Sequence, residues 1–428
     1  MKGYSEQIKE IKAERAKRKM TNDISNSTLI GYKGSTGVYT PDNANHIFIC
    51  GTTGSGKTVA LSNFMNQAFS KNYPALIVDG KGDIGDNSIL DIMNTFQKKS
   101  KRKTYIINLT DPTRSSKYNP FQNANASVVK DMMINLSDWS EQHYKVNTER
   151  YLQRVIQLME LQGIPFSFGM ILKYIPVDQF ITLSMELSKQ GIITKEYHLE
   201  NISLSKISGP IAEGAEARFS LLAESSLGTI FDDDGVDIYS ALKENAIIVF
   251  ILNPLLYPET SVLMGRLILI DSKKAVSHLF TENKRTFFIL DELNSYVSSV
   301  LIDLVNKSRS AGVTCILAVQ SLSALEKKEE SFKQEIIENC NNYIILRQNS
   351  SDNAEEWANI VGTRKSIDTT YQIGDKEGRS RPTGMGTMKF TREYIFHPDT
   401  IKYLRRGEAI FVSKDTGEKT KLNIHKPF

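Results

Sequence analysis

Apolar positions along this chain fall into two kinds of run. Seven short segments, His46–Cys50, Ala75–Val78, Thr104–Asn108, Ile247–Leu252, Phe287–Leu290, Cys315–Val319 and Tyr343–Leu346, are apolar or β-branched at most positions and bounded by turn residues. Strands buried on both faces read this way, so the pattern predicts a parallel sheet covered by helices. Between Asn125 and about Val236 the pattern changes. Thr148–Gln162 places Tyr151, Leu152, Val155, Ile156 and Met159 at helical spacing, with Gly163 and Pro165 as stop signals. Asp178–Gln190 repeats the design and ends at Gly191. The expected layout is a basic arm and linker with short β pieces over 1–40, an α/β domain over 41–124 and 236–428, and an inserted all-α domain over 125–235. Arg364–Lys389, polar and Gly-rich with Pro382, reads as a long mobile loop, and strand-like residues resume at Glu408–Val412.

Composition narrows the class. At roughly 100–200 residues per domain, 428 residues allow two to four folding units. The net charge of +4 is confined to the first twenty residues, where seven Lys/Arg meet three Glu. A uniformly basic nucleic-acid coat protein is excluded, and any contact with nucleic acid must use local patches. The longest apolar run, Ala246–Leu252, has seven residues against the ~20 of a spanning helix. Residues 1–20 lack the apolar stretch of a signal peptide, so a cytoplasmic protein is expected. Cys50, Cys315 and Cys340 sit in or beside apolar runs without paired spacing, which predicts buried thiols rather than a disulfide or zinc framework. The six histidines show no ligand spacing either.

The chemistry begins directly after the first apolar strand. Gly51-Thr52-Thr53-Gly54-Ser55-Gly56-Lys57-Thr58 fits the phosphate-binding loop G-x-x-x-x-G-K-[ST], with strand before and helix after. Its glycines let the backbone wrap phosphate oxygens, and the following helix adds the partial positive charge of its N-terminus. Lys57 should reach the β- and γ-phosphates, and the Thr58 hydroxyl should ligate Mg²⁺. A second carboxylate site is then required. Phe287–Leu290 ends in Asp291-Glu292, assigning Asp291 to the metal and Glu292 to polarising the attacking water. Lys57 and Asp291 are 234 positions apart, which the inserted helices explain. Gln320 ends another core strand and is placed to sense the γ-phosphate. Arg309, in NKSRSAG, is either a solvated surface residue or an arginine finger for a neighbouring subunit, and the residues alone do not choose.

Taken in order, VDGKGD (Val78–Asp83), YNPF (Tyr118–Phe121), the Asp291-Glu292 strand, SRSAGVTCILAVQS (Ser308–Ser321) and LRRGEAIF (Leu404–Phe411) resemble the coupling ATPases of type IV secretion and conjugation, within the FtsK/HerA superfamily of ring-forming DNA translocases. The resemblance spans about residues 40–415. It implies a RecA-like P-loop core with an all-α insert, ATP and Mg²⁺ as cofactors, and a homo-hexamer moving DNA through a pore. It implies Arg309 acting in trans, Gln320 coupling the chemistry to DNA movement, and a relaxase or other secretion substrate docked on the insert. Lys81 lies in the family's KG turn, where Gly80 stands in place of the more usual Pro.

Members of that family usually begin with membrane-spanning helices, none of which is visible here, so a separate membrane recruiter is expected if the protein works at the membrane. Pore-facing candidates are Lys365, Lys376, Arg379, Arg381 and Lys389. Two other readings compete: a HerA-like cytosolic translocase working with a nuclease, and a docking receptor assembled by ATP.

Overall fold

The computed structural model describes residues 24–43, 45–225, 227–282, 284–296, 298–326, 330–376 and 379–428. The basic arm at residues 2–19 lies outside them. Thirteen strands are present among the described residues: β1 Ser27–Lys33, β2 Thr36–Pro41, β3 His46–Cys50, β4 Ala75–Asp79, β5 Thr104–Asn108, β6 Ile247–Ile251, β7 Thr286–Asp291, β8 Val313–Val319, β9 Cys340–Ile345, β10 Thr363–Lys376, β11 Arg379–Tyr394, β12 Glu408–Ser413 and β13 Lys419–Ile424. Eleven form one sheet in the order β2-β1-β13-β12-β9-β3-β8-β7-β4-β6-β5. The seven apolar runs of the sequence are β3 to β9, and they are consecutive neighbours in that sheet. Every pairing from β9 to β5 is parallel.

Alternation along these strands divides the core into two layers. Ile47, Ile49, Ile77, Val249 and Ile289 face the helices Lys57–Lys71 and Ile89–Ser100. Phe48, Leu76, Val78, Phe250, Phe288 and Leu317 face the other way, into a larger cluster that also takes in the residues of the helical insert. An α/β/α arrangement covers both faces of a parallel sheet, as such sheets require. The fold class expected from the sequence is the one observed.

Residues 126–223 carry five helices and, among the described residues, no strand: Ala126–Asn135, Gln142–Gln162, Phe168–Tyr174, Val177–Lys189 and Lys195–Ala223. Gly163 ends the second of these in the left-handed conformation at φ 72°, donating back to Glu160 and Met159. Tyr118 and Asn119 clasp the entrance and exit of this segment. Tyr118 N–H donates to Ile230 O at 2.9 Å and Asn119 N–H to Val236 O at 3.0 Å. The Tyr118 hydroxyl donates to buried Asp271, whose neighbour Lys274 also pairs with Asp237 at 2.8 Å. The NPF motif is therefore a structural joint.

Two expectations are corrected. Arg364–Lys389 is not a loop; it is most of a two-stranded antiparallel ribbon, β10 with β11. Its Gly and Pro content hid an extended pattern in which Ile367 pairs with Phe390 and Thr369 with Met388. Nor are residues 27–41 a linker. β1 and β2 extend the main sheet through antiparallel pairing of β1 with β13, burying Ile30 and Val38 against its edge. The three cysteines are free and buried, and burial pushes the thiols of Cys50 and Cys315 up to about 12. No helix of the described residues is long and apolar enough to cross a membrane.

Candidate nucleotide site

Parallel strands deliver their following loops to one edge of the sheet, and here the edge collects the candidate residues. β3, β8, β7 and β4 are consecutive in the sheet. At their C-terminal ends lie the loop Gly51–Gly56, Gln320, Asp291-Glu292 and Asp79 respectively. Ligands bind in this crevice in open α/β sheets.

The loop is shaped by its own backbone. Gly54 and Gly56 adopt φ of 75° and 116°, conformations a side chain would strain. Ser55 is buried and closes a turn by donating from N–H and Oγ to Thr52 O, at 3.1 and 2.6 Å. Thr52 is anchored to Arg347 O, while Thr53 and Gly54 are exposed at the tip. Helix Lys57–Lys71 then begins at Gly56 with no side-chain cap. Its first amides point into the crevice with no intrahelical acceptor, which is what an oxyanion needs. Thr58, half-buried, is its second residue. Lys57 Nζ folds back to donate to Gly51 O at 2.9 Å and lies 3.9 Å from Glu292 Oε2.

Across the crevice, Glu292 occupies the left-handed region at φ 52°, ψ 46°. A non-glycine residue there stores backbone strain, a feature concentrated at functional sites. The conformation turns its carboxylate toward Lys57 and Gln320, whose Nε2 donates to Glu292 Oε1. Asp291 Oδ1 accepts the Glu292 N–H at 2.9 Å, and Tyr296 Oη donates to Asp291 O at 2.9 Å. Burial, then the charges of Asp79 and Glu292, push the Asp291 carboxyl up to about 7. Burial likewise raises Asp79 to about 6, against the backbone amides of Lys81 and Gly82 that it accepts.

The structure thus brings together Lys57, Thr58, Asp291, Glu292 and Gln320. It does not bring Arg309 to them. That residue is exposed at the N-terminal end of β8, roughly 20 Å along a seven-residue strand from Gln320. Two neighbours of the site lie in motifs of the sequence without a role assigned to them there. Asp79 of VDGKGD ends β4, and the Arg405-Arg406-Gly407 turn is joined to the loop only in space, by Gly407 N–H to Ser55 O at 3.0 Å. Lys81 points its amine to Asp83 on the exposed side of its turn. Among the described residues, no three His, Cys, Asp or Glu side chains could hold a metal by themselves. A crowd of buried carboxylates beside an uncapped, glycine-lined helix start instead fits a divalent cation whose remaining ligands come from phosphate and water.

Two family models match the chain. Residues 36–160 match the type IV secretion-system coupling protein DNA-binding domain, and residues 285–406 match the TraM recognition site of TraD and TraG. The resemblance to type IV secretion coupling proteins carried by the motifs is therefore borne out. No curated protein matches the chain by sequence. Among solved structures, the bacterial conjugative coupling protein TrwBdeltaN70 in its unbound monoclinic form is 16% identical, covering 96% of this chain and 91% of that one, with a TM-score of 0.67. The plasmid coupling protein TrwB in complex with ADP and Mg²⁺ is 15% identical over 96% and 91%, with a TM-score of 0.64. VirB4 of Thermoanaerobacter pseudethanolicus is 14% identical over 94% and 97%, with a TM-score of 0.56. At these identities the likeness is one of fold.

Proposed function

From that likeness to conjugative coupling proteins as premise, we propose that this chain is a P-loop ATPase that moves DNA, linking a DNA–relaxase substrate to a transfer channel. The observation that carries the reading is the convergence of Lys57, Asp291, Glu292 and Gln320 on an uncapped helix start. The amides of Gly54–Thr58 and the Lys57 amine hold the triphosphate, replacing the resting contacts of Lys57 with Gly51 and Glu292. Thr58 and Asp291 hold Mg²⁺, which when bound neutralises charge developing on the transferred phosphoryl group. Glu292, freed from Lys57, accepts a proton from the attacking water. Gln320 fixes the carboxylate through its amide and ties that position to β8.

Arg309, on the far end of β8, is assigned to the nucleotide of an adjoining protomer, which makes the active form a ring, taken here as a homo-hexamer. The β10–β11 ribbon supplies the DNA contact: Lys365 and Lys389 are exposed on it, beside exposed Ile367, Met388 and Phe390. Backbone phosphates are the natural target of such lysines, and this needs little sequence reading. The helical segment, a domain in its own right on this reading, supplies a docking end with Leu199 and Ile207 exposed at 61% and 69%. A membrane partner recruits the ring to the inner face of the cell membrane.

Glu292→Gln tests the motor. ATP should still bind while turnover falls by roughly 10²–10⁴-fold, and DNA transfer should stop with it. Full transfer by this variant would instead make the chain a docking receptor assembled by ATP.

A further inference from the structure

Three carboxylates meet at the crevice, and two of them have partners that explain their orientation. Glu292 is held by Gln320 and faces Lys57. Asp291 accepts from the Glu292 amide. The third, Asp79, is the direct Cα partner of Asp291 in the β4–β7 ladder. Strands stand about 4.8 Å apart, and facing residues of a ladder project to the same side of the sheet. The two carboxylates therefore leave the sheet together at its C-terminal edge.

Asp79 is half satisfied. Its Oδ1 accepts the N–H of Lys81 at 2.9 Å and of Gly82 at 3.2 Å, which shapes the turn after β4. Its Oδ2 has no hydrogen-bond partner although the residue is 1% exposed. The adjacent cation does not serve it, because the Lys81 amine is engaged by Asp83. A buried carboxylate oxygen without a partner is costly, and more so beside a second buried carboxylate. The missing element is a positive group between β4 and β7.

Resting on the nucleotide-binding reading above, we propose that Asp79 is a second carboxylate of the divalent-cation site, reaching the ion's water shell from the side opposite the nucleotide loop. Mg²⁺ sites commonly use one or two carboxylates, keep several waters and complete the shell with phosphate, so Asp79 and Asp291 supply the carboxylates beside the Thr58 hydroxyl. Partners that order a metal's coordination shell typically matter 10–100-fold for its affinity. Asp79 also fixes the Lys81–Gly82 turn, so occupation of the site and the shape of that turn are coupled through one side chain.

The test uses Mn²⁺ as probe, with the full chain loaded with ADP, and free Mn²⁺ read by electron paramagnetic resonance. Asp79→Asn keeps an acceptor for the turn amides but removes the charge. It should weaken Mn²⁺ binding by about 10–100-fold, while ADP affinity in EDTA stays within about twofold. Asp79→Ser carries the same expectation and serves if the Asn variant is unstable. Unchanged or tighter Mn²⁺ binding by a folded Asp79 variant would overturn the inference and leave the nucleotide reading standing. Failure of the wild-type chain to bind ADP in EDTA would overturn both.

Discussion

Removing the charge of Asp291 should make the empty protein more stable at neutral pH, although it disables the site. The Asp291 carboxyl is pushed up to about 7 from an ordinary 3.8, first by burial and then by Asp79 and Glu292. At pH below about 4 the carboxyl is protonated in both folded and unfolded chains and contributes nothing. Between about 4 and about 7 the unfolded chain has released its proton and the folded chain has not, so stability falls as pH rises. Above about 7 the loss is complete. At 1.36 kcal/mol for each unit of pKa difference it amounts to roughly 4 kcal/mol. Asp291→Asn removes this term and keeps an oxygen to accept from the Glu292 amide. At an unfolding entropy of about 2.1 cal/mol/K per residue, 428 residues turn roughly 4 kcal/mol into a Tm rise of about 4–5 °C. Thermal unfolding in EDTA from pH 5 to pH 8 measures it. The gap between variant and wild type should be largest at pH 8 and shrink to about 1–2 kcal/mol near pH 5. A variant less stable than wild type at pH 8, or a gap that ignores pH, would refute the buried-repulsion argument.

Two further outcomes follow from particular contacts. Gln320→Leu removes the amide that holds Glu292, so steady-state phosphate release should lose roughly 10–100-fold in kcat with KM little changed; a pure KM effect would contradict a positioning role. Lys274→Ala leaves Asp237 and Asp271 buried without their cation, which should cost about 3–5 kcal/mol in urea unfolding. A loss below about 1 kcal/mol would mean that the Tyr118 joint does not depend on this lysine.

The central strands and the phosphate loop were legible because their signals are local and redundant: continuous apolar runs mark β3 to β9, and one strand–loop–helix motif fixes Gly51–Thr58. Residues that act through space were not. Asp79 becomes notable only when the ladder sets it beside Asp291, because in VDGKGD an Asp before two glycines is ordinary turn chemistry. The β10–β11 ribbon was hidden by its composition, since Gly374, Pro382, Gly384 and Gly386 outweigh the strand signal of Ile367, Tyr371 and Phe390. β1 and β2, at one end of the sheet, are buried largely through small polar residues, Ser27, Thr28 and Thr40, leaving Leu29, Ile30 and Val38 too sparse to read as sheet. Arg309 stayed open between a solvated residue and a finger for a neighbouring subunit, and one protomer, which holds it exposed at the N-terminal end of β8, does not decide between them.

The proposed motor works as a ring on DNA. ATP hydrolysis should therefore be measured against protein concentration, with and without single- and double-stranded DNA, using Lys57→Ala as the inactive reference. A ring motor should show a rate per protomer that rises cooperatively with concentration and is stimulated by DNA, with Arg309→Ala abolishing the cooperative rise. A specific rate independent of concentration and indifferent to DNA would contradict it.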